Sequence, residues 1–231
     1  MKTDIIIGIA GTANSGKDTV ASMINFIYKY RTAANYGKWL MEKEKIETNI
    51  FHFADPLKEC LSIMFGIDKT MFYDRKYKDE YLYVFSERRF IDYKIAQNYF
   101  IIEHSDLDQN PLSYYIDKPK ACITLRTLLQ YFGTDICREN LDYDIWIKAT
   151  LRKAVDWCKW NRVAVIADVR FNNETEAIRH RHKGIVIKLT RNINKNSHKS
   201  ENINFECDYE IENNGTLQQL FYKVLEIIQN L

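Results

Sequence analysis

Gly11, Gly16 and Lys17 follow the spacing G-x-x-x-x-G-K, which is typical of loops that bind the phosphates of a nucleotide. Glycines allow the backbone to approach closely, so that its N–H groups can donate to a β-phosphate. A helix that begins at Lys17 would point its positive end at the same oxygens, and the lysine would bridge the β- and γ-phosphates. The predicted nucleotide-binding loop also includes Asn14, Ser15 and Thr19.

Asp18 occupies the position after the lysine, where this motif usually has Ser or Thr to bind Mg²⁺. A carboxylate here can bind the metal directly or through a water molecule. It can equally be an acid that the helix dipole favours in a first turn. The loop alone leaves both interpretations open.

Asp168 and Arg170 directly follow an apolar run at 163–167, which predicts a buried strand. Ligands of open α/β sheets bind outside the carboxyl ends of the strands. Asp168 can therefore reach Mg²⁺ or orient an acceptor, and Arg170 can bind a phosphate through two parallel hydrogen bonds. A surface ion pair is the alternative.

Arg126 and Gln130 lie on the polar face of an amphipathic helix predicted at 125–132. A predicted turn, Gly133-Thr134-Asp135, and then Arg138 come next. Two arginines beside a turn could hold the phosphate of an acceptor, whereas a single Arg on a polar helix face is usually only solvated. The residues favour neither interpretation over the other.

Short apolar runs alternate with amphipathic stretches along most of the chain. This alternation predicts an α/β fold with a doubly wound parallel sheet and right-handed crossovers. The predicted strands are 5–10, 50–54, 162–167, 185–189 and 209–211. The predicted helices are 17–30, one that begins near Pro56, 125–132, 143–160, 172–183 and 216–230, the last with a capping box formed by Thr216 and Gln219.

Residues 66–121 differ from the rest of the chain, because they are rich in Tyr, Asp, Lys and Glu and contain no long periodic segment. We interpret them as a polar insertion within a single domain that spans 1–231. Trp157 and Trp160 are predicted to be packing residues rather than a platform for a base. His180 and His182 are predicted to belong to a solvated helix end, since positions i and i+2 point to different faces.

The composition argues against several classes of protein. A formal net charge of +2 is too small to imply an obligate nucleic-acid or membrane partner. Five cysteines at wide spacings argue against a disulfide framework and fit a reducing cytoplasm. The apolar run near the N-terminus is too short for a signal peptide or a membrane span.

Five blocks of sequence together resemble the deoxynucleoside monophosphate kinases of tailed phages and large DNA viruses, within the P-loop kinase superfamily. Asp18 after the lysine is itself a trait of that family. The family usually has Pro-Asn-Glu where this chain has Asn172-Asn173-Glu174. The blocks are Gly11-x4-Gly16-Lys17-Asp18-Thr19; Phe53-Ala54-Asp55-Pro56-Leu57-Lys58-Glu59; 129–135 continuing to Arg138 and Trp146; 167–174; and His198-x-Ser200-Glu201 with Asn213-Asn214-Gly215-Thr216-Leu217.

This resemblance implies that ATP, with Mg²⁺, phosphorylates a deoxynucleoside monophosphate to the diphosphate. Lys17, Asp168, Arg126 and Arg170 would be the catalytic residues, and Asp18 and Asp168 the candidates for the metal. The linker 192–206, with His198, Ser200 and Glu201, would form part of a closing lid, and 66–121 would set the choice of base. Arg191, Asn213, Gly215 and Thr216 would flank the adenine of ATP. The acceptor would be bound by Asp55, Lys58, Arg126, Gln130, Gly133, Asp135, Arg138, Trp146 and Arg170.

Two other functions remain as alternatives. The same scaffold carries kinases for other phosphorylated acceptors, such as phosphomevalonate and dephospho-coenzyme A. A P-loop NTPase that acts on nucleic acid belongs to a different class, and the small net charge and the lack of a basic or aromatic stripe argue against it. We therefore expect a small-molecule acceptor and neither a membrane partner nor a stable nucleic-acid partner. The protein could be a homodimer. We expect it in the cytoplasm, which would be the cytoplasm of a host cell if the source is viral.

Overall fold

A computed structural model describes residues 4–12, 14–44, 50–191 and 205–231. The predicted lid residues His198, Ser200 and Glu201 lie outside these ranges. The chain divides into two compact units. The first combines Met1–Phe53 with Ile147–Leu231, and the second is Ala54–Trp146.

The elements are numbered along the whole chain. The strands are β1 (Ile5–Gly11), β2 (Ile50–Phe51), β3 (Tyr81–Val84), β4 (Arg89–Asp92), β5 (Phe100–Ile102), β6 (Ala121–Thr124), β7 (Val163–Val169), β8 (Ile185–Thr190) and β9 (Tyr209–Glu212). The α-helices are α1 (Lys17–Tyr30), α2 (Tyr36–Glu42), α3 (Asp55–Phe65), α4 (Arg75–Asp79), α5 (His104–Gln109), α6 (Ser113–Ile116), α7 (Leu125–Gln130), α8 (Ile145–Asn161), α9 (Asn172–Glu176) and α10 (Leu217–Gln229).

The first unit is built on a five-stranded sheet in the order β2-β7-β1-β8-β9. Every pairing in it is parallel, which confirms the predicted sheet. β1 lies at the centre, between β7 and β8, and all three strands are rich in Ile, Val and Ala. A central parallel strand is covered on both faces, which explains its continuous apolar sequence.

Alternate residues of β1 contribute to two separate cores. Ile5, Ile7 and Ile9 pack in one cluster with residues of α1 and α10, and Ile6 and Ala10 pack in another with residues of α8. Successive side chains of a strand point to opposite faces, so helices cover both sides of the sheet. Each fully buried isoleucine stabilises the fold by roughly 1.5–3 kcal/mol.

The second unit contains a four-stranded sheet in the order β4-β3-β6-β5. β3 pairs antiparallel with β4 and β6, whereas β5 pairs parallel with β6. The sequence did not predict these strands, because each has only three or four residues and polar residues are interspersed among them. Phe72, Leu61 and Leu128 are fully buried in the core of this unit.

Several predicted elements have different bounds in the structure. The strand expected at 50–54 is only Ile50–Phe51, because the chain enters α3 at Asp55. β7 continues to Val169, so Asp168 lies within the strand and not after it. The turn expected at 133–135 is wrong: Tyr131–Arg138 continues α7 as a π-helical segment. A second π-helical segment, Ala177–Arg181, continues α9.

The two tryptophans near the end of α8 differ. Trp157 is partly buried and its ring centroid lies 6.4 Å from that of Phe51, which confirms the predicted packing role. The same prediction was wrong for Trp160, whose surface is 86% exposed. Within the part of the chain described here, none of the helices is long and apolar enough to cross a membrane. All five cysteines are free.

Candidate active site

The predicted phosphate-binding loop joins the central strand β1 to the first turn of α1. Gly16 is the N-cap of α1 and has φ 98°, a left-handed conformation that favours glycine. A Cβ atom on Gly11 would lie 2.5 Å from Ser15 Oγ and 3.0 Å from the carbonyl oxygen of Leu189, so no side chain fits there. The two glycines of the motif are therefore required by the backbone itself.

Lys17 folds back along this loop. Its Nζ donates to the carbonyl oxygens of Gly11, at 3.0 Å, and of Thr12, at 2.7 Å. These bonds hold the ammonium group beside the loop backbone. The motif predicts that this backbone surrounds a phosphate. A bound phosphate would therefore meet a positioned cation.

Ser15 lies inside the loop and is fully buried. Its Oγ has no hydrogen-bond partner among the described residues. An unsatisfied buried hydroxyl lowers the stability of the fold by roughly 1–3 kcal/mol. Such groups occur at sites where a ligand supplies the missing hydrogen bond. Together with the backbone N–H groups at the start of α1, this hydroxyl fits the phosphates of a nucleotide.

Asn213 and Arg191 connect the loop to the far strands of the sheet. Asn213 Nδ2 donates to the carbonyl oxygen of Ser15 at 2.8 Å, and Arg191 Nη1 donates to that of Asn14 at 3.3 Å. Gly215 and Thr216 belong to the start of α10, where Thr216 Oγ1 accepts from the Gln219 N–H at 3.2 Å. The structure thus brings Asn213 and Arg191 to the loop, whereas it assigns Thr216 a capping role.

Asp18 is a surface residue, and 77% of its side chain is exposed. Its Oδ1 lies 3.5 Å from His52 Nε2. The hydrogen bond from His52, helped by the charge of Lys17, holds the pKa of this carboxyl below its ordinary value despite partial desolvation. The Asp18 carboxylate is therefore ionised at neutral pH, and its oxygens can act as metal ligands. Sequence reasoning missed His52, which follows a two-residue strand.

Asp168 is half-buried in β7, where its Oδ1 accepts a 2.8 Å hydrogen bond from the Phe53 N–H. Arg170 follows the strand and is exposed. The backbone N–H groups of Arg170 and Phe171 both donate to Glu174 Oε2, at 2.7 and 3.1 Å, and Glu174 itself is buried. Glu174 thus fixes the backbone that carries Arg170, a role that sequence reasoning missed.

A metal site made only of protein ligands is not present in the described ranges, where no three His, Cys, Asp or Glu side chains are grouped to hold an ion. Mg²⁺ that is bound to phosphates needs only one or two carboxylates, because it retains several waters. Asp18 and Asp168 therefore fit Mg²⁺ that arrives with a nucleotide. They do not fit a permanently bound metal.

In the second unit, Asp55 and Lys58 form one cluster with Tyr73. Asp55 Oδ1 accepts from the Tyr73 hydroxyl at 2.6 Å and lies 3.4 Å from Lys58 Nζ. Lys58 Nζ lies 3.7 Å from the centroid of the Tyr73 ring. Tyr73, within the polar insertion, was not singled out in the sequence.

Arg126 is bound by Asp79, which the sequence did not predict. Its Nε and Nη2 donate to the two carboxylate oxygens of Asp79 at 2.6 and 3.0 Å. This hydrogen-bonded pair raises the pKa of Arg126 and lowers that of Asp79. More than half of the Arg126 side chain is nevertheless exposed, so it is accessible to a ligand.

The π-helical segment carries three further predicted residues, and Trp146 packs against it. Trp146 is buried, and its Nε1 donates to the carbonyl oxygen of Gly133 at 2.9 Å. A Cβ on Gly133 would lie 2.7 Å from Leu57 Cδ2. Asp135 Oδ2 lies 2.7 Å from His104 Nε2. Arg138 is half-buried in the last turn of the segment, and Gln130, just before it, is exposed.

Comparison with known proteins agrees with this geometry. A family model described as "Deoxynucleotide monophosphate kinase" matches residues 5–224. A provisionally named deoxynucleotide monophosphate kinase of Acanthamoeba polyphaga mimivirus is 25% identical over 249 residues, covering 98% of this chain and 97% of the relative. The deoxynucleoside-5'-monophosphate kinase of Escherichia phage T5 is 28% identical over 199 residues, covering 76% and 72%. Since the family model spans nearly the whole chain, this protein belongs to the deoxynucleotide monophosphate kinase family.

Proposed function

We propose that this kinase transfers the terminal phosphoryl group of ATP, bound with Mg²⁺, to the phosphate of a deoxynucleoside monophosphate. The products are a deoxynucleoside diphosphate and ADP. The observation that supports this most directly is the loop around Lys17, with its left-handed Gly16 and the unsatisfied buried hydroxyl of Ser15. Membership of the family supplies the acceptor class. It does not favour phosphomevalonate, dephospho-coenzyme A or a nucleic-acid-stimulated NTPase.

The reaction needs little acid–base chemistry from the protein. The acceptor phosphate already carries a nucleophilic oxygen near neutral pH, which forms a bond to the γ-phosphorus of ATP. The bond between that phosphorus and the β–γ bridging oxygen breaks, and ADP leaves with the electron pair. Catalysis therefore depends on alignment and on neutralising charge.

Residues of the first unit would serve the donor. Lys17 would neutralise charge on the β- and γ-phosphates, and the Ser15 hydroxyl would donate to a phosphate oxygen. Arg170 would cover the transferring group, on a backbone fixed by Glu174. Asn213 and Arg191 would hold the loop, and the Asn213–Thr216 turn would flank the adenine. When bound with ATP, Mg²⁺ would supply further charge neutralisation, held by Asp18 and Asp168.

Residues of the second unit would serve the acceptor. Arg126 and Arg138 would bind its phosphate, while Asp55 and Lys58 would contact the nucleotide. Arg126 would exchange the carboxylate of Asp79 for phosphate oxygens, which accept the same two parallel hydrogen bonds. Trp146 would act indirectly, by fixing the Gly133 carbonyl oxygen, and Gln130 and Asp135 would complete the surface. The insertion 66–121 would set the choice of base.

The remaining predictions concern the setting of the enzyme. The segment 192–206, with His198, Ser200 and Glu201, would close over the nucleotide and exclude water. The five free cysteines and the viral relatives support an enzyme that works in the cytoplasm of a host cell. A homodimer remains a prediction that sedimentation or light scattering would test.

An ADP-release assay tests the reaction itself. The protein is given ATP and Mg²⁺ with each of dTMP, dGMP, dCMP, dAMP and the corresponding ribonucleotides, and the products are identified by mass. We expect diphosphate from one or more deoxynucleotides. If folded, ATP-binding protein phosphorylates none of them, the proposed acceptor is wrong, and phosphomevalonate and dephospho-coenzyme A become the next substrates to test.

A further inference from the structure

A cavity lies at the C-terminal end of α1, and the phosphate-binding loop lies at the other end of this helix. Its volume is about 530 Å³, which is sufficient for a nucleotide-sized ligand. The last residues of α1, the end of α8 and the start of β7 line it, all within the first unit. Because α1 has 14 residues, each rising about 1.5 Å, the cavity is on the order of 20 Å from Lys17. It is therefore distinct from the candidate active site.

Two residues that line this cavity each carry one buried polar atom with no hydrogen-bond partner in the described part of the chain. Tyr28 is only 6% exposed, and its hydroxyl makes no hydrogen bond within the described residues. The Nδ2 atom of Asn25 is likewise buried and unpaired there. Burial raises the pKa of Tyr28 to about 12, so at neutral pH its hydroxyl keeps its proton and can donate. Both residues line one cavity, so a bound ligand that carries hydrogen-bond acceptors is one way to satisfy these two groups.

The charge of the lining is positive. Lys29, Arg31 and Arg162 contribute three cations, and the described part of the lining contains no carboxylate. The carboxyl ends of α1 and α8 each bring roughly half a negative charge, so the helix dipoles offset only about one of the three cations. Arg31 and Arg162 also have positive φ values of 49° and 66°, a region where residues other than glycine are uncommon. An anion fits this cavity.

An aromatic surface adjoins these cations. The Trp160 side chain is 86% exposed, and Trp157, the other tryptophan of the lining, belongs to the same helix. Indole rings bind flat heteroaromatic rings by stacking, and arginines add cation–π attraction. An inorganic anion would leave the indole unused, and an apolar ligand would leave the cations unused. The combination requires one ligand with both a ring and a negative charge.

We propose that this cavity binds a free nucleoside 5′-phosphate. Its base would lie against Trp160, its phosphates would contact Arg31 and Arg162, and its remaining acceptors would satisfy Tyr28 and Asn25. The inference does not depend on the phosphoryl-transfer reaction, because none of these residues belongs to the candidate active site.

Fluorine NMR of the full chain, labelled with 5-fluorotryptophan, tests the proposal with a local readout. The chain has four tryptophans. Trp39 serves as the internal control, Trp146 reports on the proposed acceptor site, and the signals of Trp157 and Trp160 are assigned with Phe variants. We expect titration with dATP or dTTP to shift the Trp157 and Trp160 signals saturably. Nucleotide bound only at the phosphate-binding loop would leave those two signals in place, which would overturn the proposal.

Three variants test the assignment of residues. Arg31→Gly and Arg162→Gly remove the guanidinium groups while matching the left-handed backbone, so loss of binding would not reflect misfolding. Each should raise the apparent Kd about tenfold or more. Tyr28→Phe should weaken binding while leaving the unliganded protein at least as stable, because it removes an unsatisfied hydroxyl. Lys159→Ala, which removes a cation of α8 outside the cavity, should bind normally.

Four further outcomes would overturn the proposal. The first is an unchanged Kd in both arginine variants. The second is binding of inorganic phosphate as tight as that of the nucleotides, which would remove the role of the ring. The third is a response to a deoxyoligonucleotide but not to a mononucleotide. The fourth is a shift of the Trp160 signal with protein concentration alone, which would assign this surface to self-association.

Discussion

Asn213 donates a 2.8 Å hydrogen bond from its side-chain amide to the carbonyl oxygen of Ser15, across 198 positions of sequence. The backbone N–H of Asn213 donates to the Thr190 carbonyl oxygen at 2.8 Å, which ties the residue to the end of β8. A Cβ on Gly16 would lie 2.8 Å from the same amide nitrogen. The phosphate-binding loop is thus held from outside its own motif, and Gly16 is required partly because Asn213 approaches it.

Removing this amide should loosen the loop without unfolding the protein. We expect Asn213→Ala to raise the KM for ATP about two- to tenfold, since the loss of one hydrogen bond to the loop is worth roughly 0.5–1.5 kcal/mol. Asn230 is an exposed asparagine at the other end of α10, away from the predicted site, so Asn230→Ala is the matched control. Steady-state kinetics with ATP as the varied substrate distinguishes the two. Equal KM values for ATP in both variants would remove Asn213 from nucleotide binding.

Lys17 should be needed for turnover and not for folding. Its Nζ donates to partly buried carbonyl oxygens of Gly11 and Thr12, so Lys17→Met should change the free energy of unfolding by no more than about 0.5 kcal/mol. We expect kcat to fall about 10³-fold or more, because the variant lacks the cation beside the transferring phosphate. Thermal unfolding and the ADP-release assay measure the two quantities. Near-normal turnover would exclude the lysine from the mechanism.

The sequence predicted those strands and helices whose own residues form a continuous apolar or an amphipathic pattern. The strands β1 and β7 are continuously apolar, and the helices α1 and α10 are clearly amphipathic. The loop motif lies between β1 and α1. The small sheet of the second unit was missed, because strands of three or four residues have too few positions to show a period.

Pairings between distant residues could not be predicted in the same way. Asp18 with His52, Arg126 with Asp79 and Asn213 with Ser15 each join segments far apart in sequence. The loop motif indicated Asp18 but not its partner, and the polar helix face indicated Arg126 but not the carboxylate that holds it. Trp160 was assigned to packing because indoles usually are buried, and its exposure became evident only in the fold.

Asp79 should contribute stability that depends on pH in a defined direction. Its pKa in the folded protein lies below the ordinary Asp value of 3.8, chiefly because Arg126 donates to it. Stability from the pair is therefore fully present above about pH 5, and it is lost as the pH falls below 3.8 through the folded-state pKa. Because the pair is exposed to solvent, its contribution should be only about 0.2–1 kcal/mol.

Comparing the protein with Asp79→Asn tests this sign. Urea unfolding followed from pH 3 to pH 7 should show the variant less stable at neutral pH and the difference shrinking in acid. A difference that grows as the pH falls would mean that the pKa of Asp79 is not lowered by folding.

Trp146 should act on stability through its indole N–H. The N–H donates to the buried carbonyl oxygen of Gly133, so Trp146→Phe should destabilise the protein by roughly 1–3 kcal/mol. Trp160→Phe is the control, because an exposed tryptophan should change stability by no more than about 0.5 kcal/mol. Urea denaturation compares the two midpoints. If both variants unfold at the wild-type midpoint, the hydrogen bond to Gly133 does not stabilise the π-helical segment.

Arg126 should contribute to binding of the acceptor nucleotide and not of ATP. Its guanidinium already forms two parallel hydrogen bonds with a carboxylate, an arrangement that a phosphate can accept equally well. We expect Arg126→Ala to raise the KM for the deoxynucleoside monophosphate at least about tenfold, with the KM for ATP unchanged. Arg75 provides a matched control, because it faces the same Asp79 at 3.9 Å, is 93% exposed and is not among the individual residues predicted to bind the acceptor. Arg75→Ala should therefore keep wild-type kinetics for both substrates. If the two variants behave alike, the contribution of Arg126 is only its pairing with Asp79, and the acceptor phosphate is bound elsewhere.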